Sequence, residues 1–492
     1  MDSCGVRGPP RFLVDAHPAH VLQRGAPSVF ALPAISALII LIYSRPQEFF
    51  ESLQAAPLLY IFLGLALCGM ALDLRIGNTH LRSTPQLPWV CLFVVWSAGG
   101  ALFRAPRTAL PHLTELAICV ALYAVIAHGL QTFRALHIVA GVVLAMVLFV
   151  SAVGAHQGFA DTGCVLVNDS TPGDTATGEP DGRPCVTEAD CVLNDPEPCA
   201  QYVCERIGLF GTTSVGQGRV RYRGVLQDPN ELALAGGIGL PLALGFRVRR
   251  RRRAWHLLVT ILTFAVVLTC AVLSRSRGGQ LVCLTVLAVY FAKRFGLRGL
   301  LLGGTLGLPL LLLGGRDGEE AARSTIERIE CWAEALAMWR DHPVLGVGLG
   351  RFGEYHYLTA HNSYLLALAE LGLPGMMLFS IVFYLSAKVP IAALQRAAAA
   401  NSAGGERAIV PAAMALLAAF AGLAVGMFFL SFTYHYVLWI YIGLSGALYS
   451  AVRKHDPTFR VRFGRSDALL VGSVDVAIIV LVFLYTRAKL GA

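Results

Sequence analysis

Residues 360 to 375 read Ala-His-Asn-Ser-Tyr-Leu-Leu-Ala-Leu-Ala-Glu-Leu-Gly-Leu-Pro-Gly. Three polar side chains, His361, Asn362 and Ser363, stand directly ahead of an apolar run, and Gly372 and Gly375 fall one helical turn apart inside it. This is the pattern of a membrane helix whose first turn carries an imidazole into water, because hydrocarbon accepts the run and rejects the polar trio. A crossing from outside to inside places His361 at the external boundary.

The rest of the chain is built alike. Across 492 residues, 55% are hydrophobic, only 14% are charged and the mean hydropathy is +0.61. That is too apolar for an ordinary soluble protein, and the length suits one polytopic membrane domain. The net charge of +9 does not indicate nucleic acid, since the arginines cluster between apolar runs, where positive charge marks cytoplasmic loops. The first 27 residues contain Arg7, Arg11, Asp15 and Arg24 and no apolar core, so no cleavable leader is expected and the first span is itself the targeting element.

Apolar runs of spanning length lie near 29–45, 57–73, 87–103, 113–130, 136–154, 230–246, 255–274, 279–292, 299–315, 363–386, 408–432, 436–452 and 468–486. The expected fold is therefore all-α, a polytopic bundle of about 12–13 spans with two long external loops; Asp475 within the last run leaves twelve open. The chain divides into a cytoplasmic segment 1–28, helices 29–154, an insert 155–222, helices 223–315, a loop 316–362 with an amphipathic helix, and helices 363–486. With a cytoplasmic N-terminus, the Arg247 to Arg253 run, the Lys293, Arg294, Arg298 group and the basic residues from Arg453 to Arg465 all fall inside. The positive-inside tendency requires that, although Arg104 and Arg107 fall outside.

The insert carries Cys164, Cys185, Cys191, Cys199 and Cys204 among Asp, Glu, Gly, Pro and Thr, a composition unable to build a sizeable core. Disulfides fit an external, oxidising compartment better than zinc, since paired C-x-x-C spacing is missing. Five is odd, and Cys331 in the second external loop is the candidate sixth partner. In that loop Ile326, Ile329, Trp332, Ala333, Leu336 and Trp339 or Met338 recur at helical spacing, while Arg323, Glu327, Glu330 and Glu334 take the other face. Such a helix lies at the lipid interface or packs on the bundle. The Gly346-x-Gly-x-Gly350 run has no strand before it and reads as a tight turn, not a dinucleotide loop.

His361-Asn362 followed by Gly372-x-x-Gly375 resembles the signature of the O-antigen ligase and polymerase superfamily. Arg328-x-x-x-Trp332, Gly346 to Phe352, Arg223-Gly-x-x-x-Asp-Pro-Asn230 and Ser276-Arg277-Gly-Gly279 are similar too, so the likeness covers roughly 215–450. The resemblance implies an integral-membrane, metal-independent, inverting glycosyltransferase of the bacterial inner membrane, acting on its periplasmic side. It would pass a glycan from an undecaprenyl-diphosphate carrier to a hydroxyl of lipid A core or another glycan, in lipopolysaccharide or surface polysaccharide biosynthesis. A polymerase with the same chemistry is the alternative reading, and a flippase or transporter of lipid-linked glycan the remote one.

The chemistry asks for two things. Charge growing on the diphosphate needs arginine, which stays ionised and donates a bidentate fork; the acceptor hydroxyl needs a base titrating near neutrality, which is histidine. Asp228-Pro229-Asn230-Glu231 reads as a helix start, with Asp228 as cap and Glu231 closing a capping box. The expected arrangement gathers the starts of three spans around one anion, with Arg223 and Arg277 on the diphosphate and His361 as catalytic base, kept neutral by nearby positive charge. Arg219 and Arg221 compete with Arg223, and Arg275 competes with Arg277. Arg328, Asn362, His356, Tyr434 and His435 are further candidates for lining the site. Gly372 and Gly375 are expected as close-packing points between helices. No metal set and no nucleotide or other cofactor site is visible, and membrane lipids are the remaining expected partners.

Overall fold

The computed structural model describes residues 29–491 except 168–177, 179, 194–201, 217, 246–252, 297, 300, 302, 306–314, 316–317 and 400–405. Thirteen long helices run in chain order among the described residues. They are α1 (Ala31–Ser44), α2 (Leu58–Arg75), α3 (Leu87–Arg104), α4 (Ala109–Gly129), α5 (Phe133–Gln157), α6 (Pro229–Gly245) and α7 (Arg253–Leu273). Then follow α8 (Arg277–Phe295), α9 (Gly318–Asp341), α10 (Ser363–Ala399), α11 (Glu406–Gly426), α12 (Tyr436–His455) and α13 (Arg465–Leu490). All but α9 stand at expected spans, and eight of the helices meet a strict length and hydropathy requirement for crossing a membrane. The protein is an all-α polytopic bundle. The expected span 299–315 lies mostly outside the described residues, as do residues 1–28, expected to be cytoplasmic, and most of the 247–253 basic run.

Several ionisable groups within the apolar bundle find partners inside it, since hydrocarbon offers them no water. The Asp73 carboxylate on α2 accepts from the backbone N–H groups of Val29, Phe30 and Ala31 at 3.0, 3.2 and 2.8 Å, satisfying orphan donors at the start of α1. Asp475 does not interrupt α13: its carboxylate accepts from Ser380 Oγ of α10 at 2.7 Å. Nearer the start of α13, Lys388 Nζ and Tyr384 Oη each reach Asp467 at 2.6 Å. A polar seam therefore ties α13 to α10, the orientation expected of ionisable residues inside a membrane bundle.

The insert is not helical throughout. Strands β1 (Thr162–Leu166), β2 (Pro180–Pro184) and β3 (Tyr202–Arg206) form an antiparallel sheet of order β2-β1-β3. Disulfides Cys164–Cys191 and Cys185–Cys204 staple it, which supplies the cohesion its composition withholds. The sulfurs of Cys164, Cys185 and Cys191 cluster because of these bonds. Cys199 lies outside the described residues. Cys331 corrects the expectation of a sixth partner. Its thiol is free and fully buried on α9, 3.6 Å from His356 Nδ1, because the helix turns that face into the bundle and away from the insert.

Helix α9 is amphipathic as expected, with a shifted face. Ile329, Cys331, Trp332, Ala335, Leu336 and Met338 are buried, whereas Ile326 is 52% exposed. The Trp332 ring packs between Phe428 and Tyr485, with centroids 5.5 and 6.2 Å away.

Helix α10 breaks at Gly372, where φ is +69° and ψ −176°, a conformation open to glycine alone. The break frees three carbonyls, and each finds a donor. Val347 N–H bonds Ala369 at 2.9 Å, Gly348 N–H bonds Glu370 at 3.0 Å, and Trp96 Nε1 bonds Leu371 at 2.9 Å. The 343–348 turn thus docks in the notch of the broken helix. Gly372 is therefore a hinge in the backbone, beyond the close-packing point expected of it.

Candidate active site

A cavity of about 550 Å³ opens where α6 and α10 begin. Arg219, Arg323 and Arg328 line it together with His361, and Asp228, Glu231 and Glu327 stand among them. Asn230, Ser324, Tyr357, Thr359 and Ser431 add amide and hydroxyl groups. A narrower annex of about 80 Å³ adjoins it at the start of α8, lined by Arg275, Arg277 and Arg328. Asn230, Ser324 and Arg328 belong to both linings, so the two spaces meet along α9. The three expected helix starts are brought to one place.

Each start is built locally. Pro229 occupies the first position of α6, and Asp228 Oδ1 accepts from the backbone and side-chain nitrogens of Asn230, both at 2.8 Å. Ser276 caps α8 through Oγ, which accepts from Gly279 N–H at 3.0 Å. Asn362 caps α10 through Oδ1, which accepts from Tyr364 and Leu365 N–H at 3.0 and 3.1 Å. Ser363 Oγ donates to Leu430 O at 2.6 Å and accepts from Phe432 N–H at 2.7 Å, fastening this start to the α11–α12 connection.

The backbone turns sharply at two of these points. His361 has φ +46° and Arg275 φ +49°, the left-handed region that side-chain-bearing residues seldom adopt. Such conformations persist only where the surroundings hold them, and they concentrate at functional sites.

Electrostatically the two spaces differ. In the larger cavity the Arg323 guanidinium pairs with Glu327 at 3.3 Å, and acids balance bases. In the annex three arginines converge and no carboxylate stands among its described lining residues. Arg277 lies close to Gly315, where an added Cβ would meet its guanidinium at 3.0 Å.

The other candidates distribute as follows. Arg223 does not reach the cavity: its guanidinium donates to the carbonyls of Glu48 and Gly211, both at 2.6 Å, and packs over the Phe49 ring. Gly224, at φ +59°, reverses the chain just after it and aims it at the turn following α1. Arg221 is likewise engaged, with Thr213 O at 2.9 Å. Arg219, a competitor of Arg223 in the sequence, is the one that lines the cavity, with its Nε donating to Ser274 O at 3.2 Å. His356 supports the rim, accepting from Leu358 N–H at 3.1 Å and stacking on Tyr357 at 4.7 Å. Tyr434 lies beside the buried Glu370, away from the cavity lining.

His435 is the cap of α12, where Nδ1 accepts from Val437 N–H at 3.2 Å and Nε2 donates to Val225 O at 2.7 Å. Both ring nitrogens are thereby committed. Burial pushes its pKa down to about 4, so the folded protein holds it neutral. Stability from this residue is present above the unfolded value near 6.5 and is lost as pH falls toward 4. The stake is on the order of 3 kcal/mol. Thermal melts of wild type and His435→Gln across that window should converge as the pH falls; parallel curves would refute this account.

Sequence reasoning did not single out Ser324, Tyr357, Thr359 or Ser431, which no motif marks, and it quoted Asn230 in a motif without giving it a place in the site. Arg323 was visible only as part of the polar face of α9. A helix-wheel plot puts Arg323, Ser324, Glu327 and Arg328 on adjoining positions, the one signal available.

The helices make this a polytopic membrane protein, with an arginine-rich recess where α6, α8 and α10 begin. Residues 262–380 match the family model described as O-antigen ligase, a stretch that contains Arg275, Arg277, Arg328 and His361. That stretch is thus O-antigen ligase-like, in keeping with the resemblance seen around His361. No curated protein matches it.

Proposed function

We propose that the chain transfers a glycan from an undecaprenyl-diphosphate carrier to an acceptor hydroxyl at the periplasmic face of the bacterial inner membrane, as a ligase in lipopolysaccharide or surface polysaccharide biosynthesis. The observation that carries this reading is the annex of Arg275, Arg277 and Arg328 opening into the cavity that holds His361. Guanidinium forks and the start of α8 would take the diphosphate, as cations and helix N-termini take phosphate. The sugar and its acceptor would occupy the larger, polar cavity. His361 would remove the hydroxyl proton as the oxygen attacks the anomeric carbon. The bond to the diphosphate breaks, and the electron pair leaves on a phosphate oxygen steadied by the arginines. Attack opposite the leaving group inverts the sugar. Arginine meets the charge in this scheme, with no step routed through a metal.

The test is reconstitution of the purified protein with carrier-linked glycan and a lipid A core acceptor. Glycosylated acceptor is the expected product; longer carrier-linked chains without acceptor would replace ligase by polymerase, and no transfer at all would leave transport as the reading. Arg277→Gln and Arg328→Gln should each raise KM for the donor about 10- to 100-fold, the value of a charge-assisted hydrogen bond. Arg223→Gln should lower thermal stability and leave that KM unchanged, since its partners are the Glu48 and Gly211 carbonyls. Equal KM effects at all three positions would contradict the assignment.

A further inference from the structure

A second cavity lies outside the proposed reaction site. It is a groove of about 510 Å³ between the C-terminal halves of α9 and α13, floored by Leu336, Ala337, Ile479, Val480 and Phe483. Its size falls within the range of small-molecule sites. Helix α13 is peripheral: 17% of its apolar window is buried, and Leu481 and Leu484 are 65% and 56% exposed. The groove therefore opens on the lipid-facing side of the bundle.

Its chemistry is asymmetric. Arg340 and Arg487 share the lining with this hydrocarbon floor, and no carboxylate is among the described lining residues. Arg340 has Asp341 at 3.4 Å, but both side chains are largely exposed, so the pairing is weak. Trp339 adds an aromatic ring to the lining.

An alkyl chain ending in a phosphate meets both features at once. The chain covers the apolar floor, and phosphate oxygens accept from the guanidinium groups. We propose that this groove binds one anionic phospholipid from the surrounding leaflet, its acyl chain along α13 and its phosphate at Arg340 and Arg487. A zwitterionic lipid fits less well, because its ammonium would stand near two like charges. The bound lipid joins α9 to α13. Since α9 also carries Arg323 and Arg328, occupancy steadies the wall of the larger cavity.

Native mass spectrometry of the full-length protein decides the matter, after reconstitution in phosphatidylcholine bilayers containing phosphatidylglycerol or, in a parallel sample, undecaprenyl phosphate. The expected result is one retained phosphatidylglycerol per chain. The double variant Arg340→Gln/Arg487→Gln should retain about ten-fold less, the cost of losing charge-assisted hydrogen bonds. Ala337→Phe, which fills the groove and keeps both charges, should do the same. Equal retention of phosphatidylcholine and phosphatidylglycerol, preferential retention of undecaprenyl phosphate, or undiminished binding in both variants overturns the proposal. Should a variant fail to fold, the competition between lipids on the wild-type protein settles it alone.

Discussion

His361→Ala is expected to slow glycan transfer by roughly 10²–10⁴-fold, the usual contribution of a positioned general base. The chain should remain folded, because the bonds that cap α10 come from Asn362 and Ser363. The left-handed backbone at this position, φ +46°, supplies a sharper control. Asparagine tolerates that conformation nearly as well as any side-chain-bearing residue, so His361→Asn keeps the turn and removes the base. Both variants should bind carrier-linked donor with near-normal KM and lose kcat, measured as glycosylated acceptor formed over time. Full turnover in both would shift the proton transfer to the carboxylates that share the cavity, Glu231 or Glu327, which Glu→Gln exchanges would then identify.

Gly372→Ala should be the most damaging single change to the fold. A Cβ there would lie 2.1 Å from the carbonyl oxygen of Val344 and 2.4 Å from its carbon, both parts of a docked backbone that cannot swing aside. Backbone strain alone costs about 1–3 kcal/mol, before the collision is counted. The 343–348 turn would be expelled from the notch, and the Ala369, Glu370 and Leu371 carbonyls would lose donors inside an apolar bundle. A fall in melting temperature with loss of transfer is the expected outcome. Gly353→Ala is the matching control, since nothing lies within 4 Å of its added carbon and it should stay within about 0.5 kcal/mol of wild type. A Gly372→Ala protein as stable as that control would mean the helix can close without the break.

The helices were legible because hydrocarbon imposes a length and a composition on every segment that crosses it. The apolar runs 363–386 and 468–486 mark the helices Ser363–Ala399 and Arg465–Leu490, although the first continues thirteen residues further and Asp475 left the second open. The start of α6 was also legible, since Asp-Pro is local capping chemistry, whereas the Ser276 and Asn362 caps of α8 and α10 emerge only in the fold. The sheet of the insert was not: its strands are five residues each, held by pairing and disulfides between distant positions. Arg223 misled for a related reason. Its spacing from Asp228 suits the site, yet the side chain is claimed by the turn after α1, more than 170 residues earlier.

Local physics therefore determined the spans, the start of α6 and the chemical types available at one end of the bundle: arginine, histidine and hydroxyl. The chain could not say by itself which arginines meet. Only the tertiary fold, with α9 packed on α10 and α13, assigns Arg219, Arg323 and Arg328 a common cavity and sends Arg223 elsewhere. The physical reason is range: hydropathy and capping act within a few residues of themselves, whereas a side chain's partners depend on which distant backbone offers an acceptor once the helices have closed.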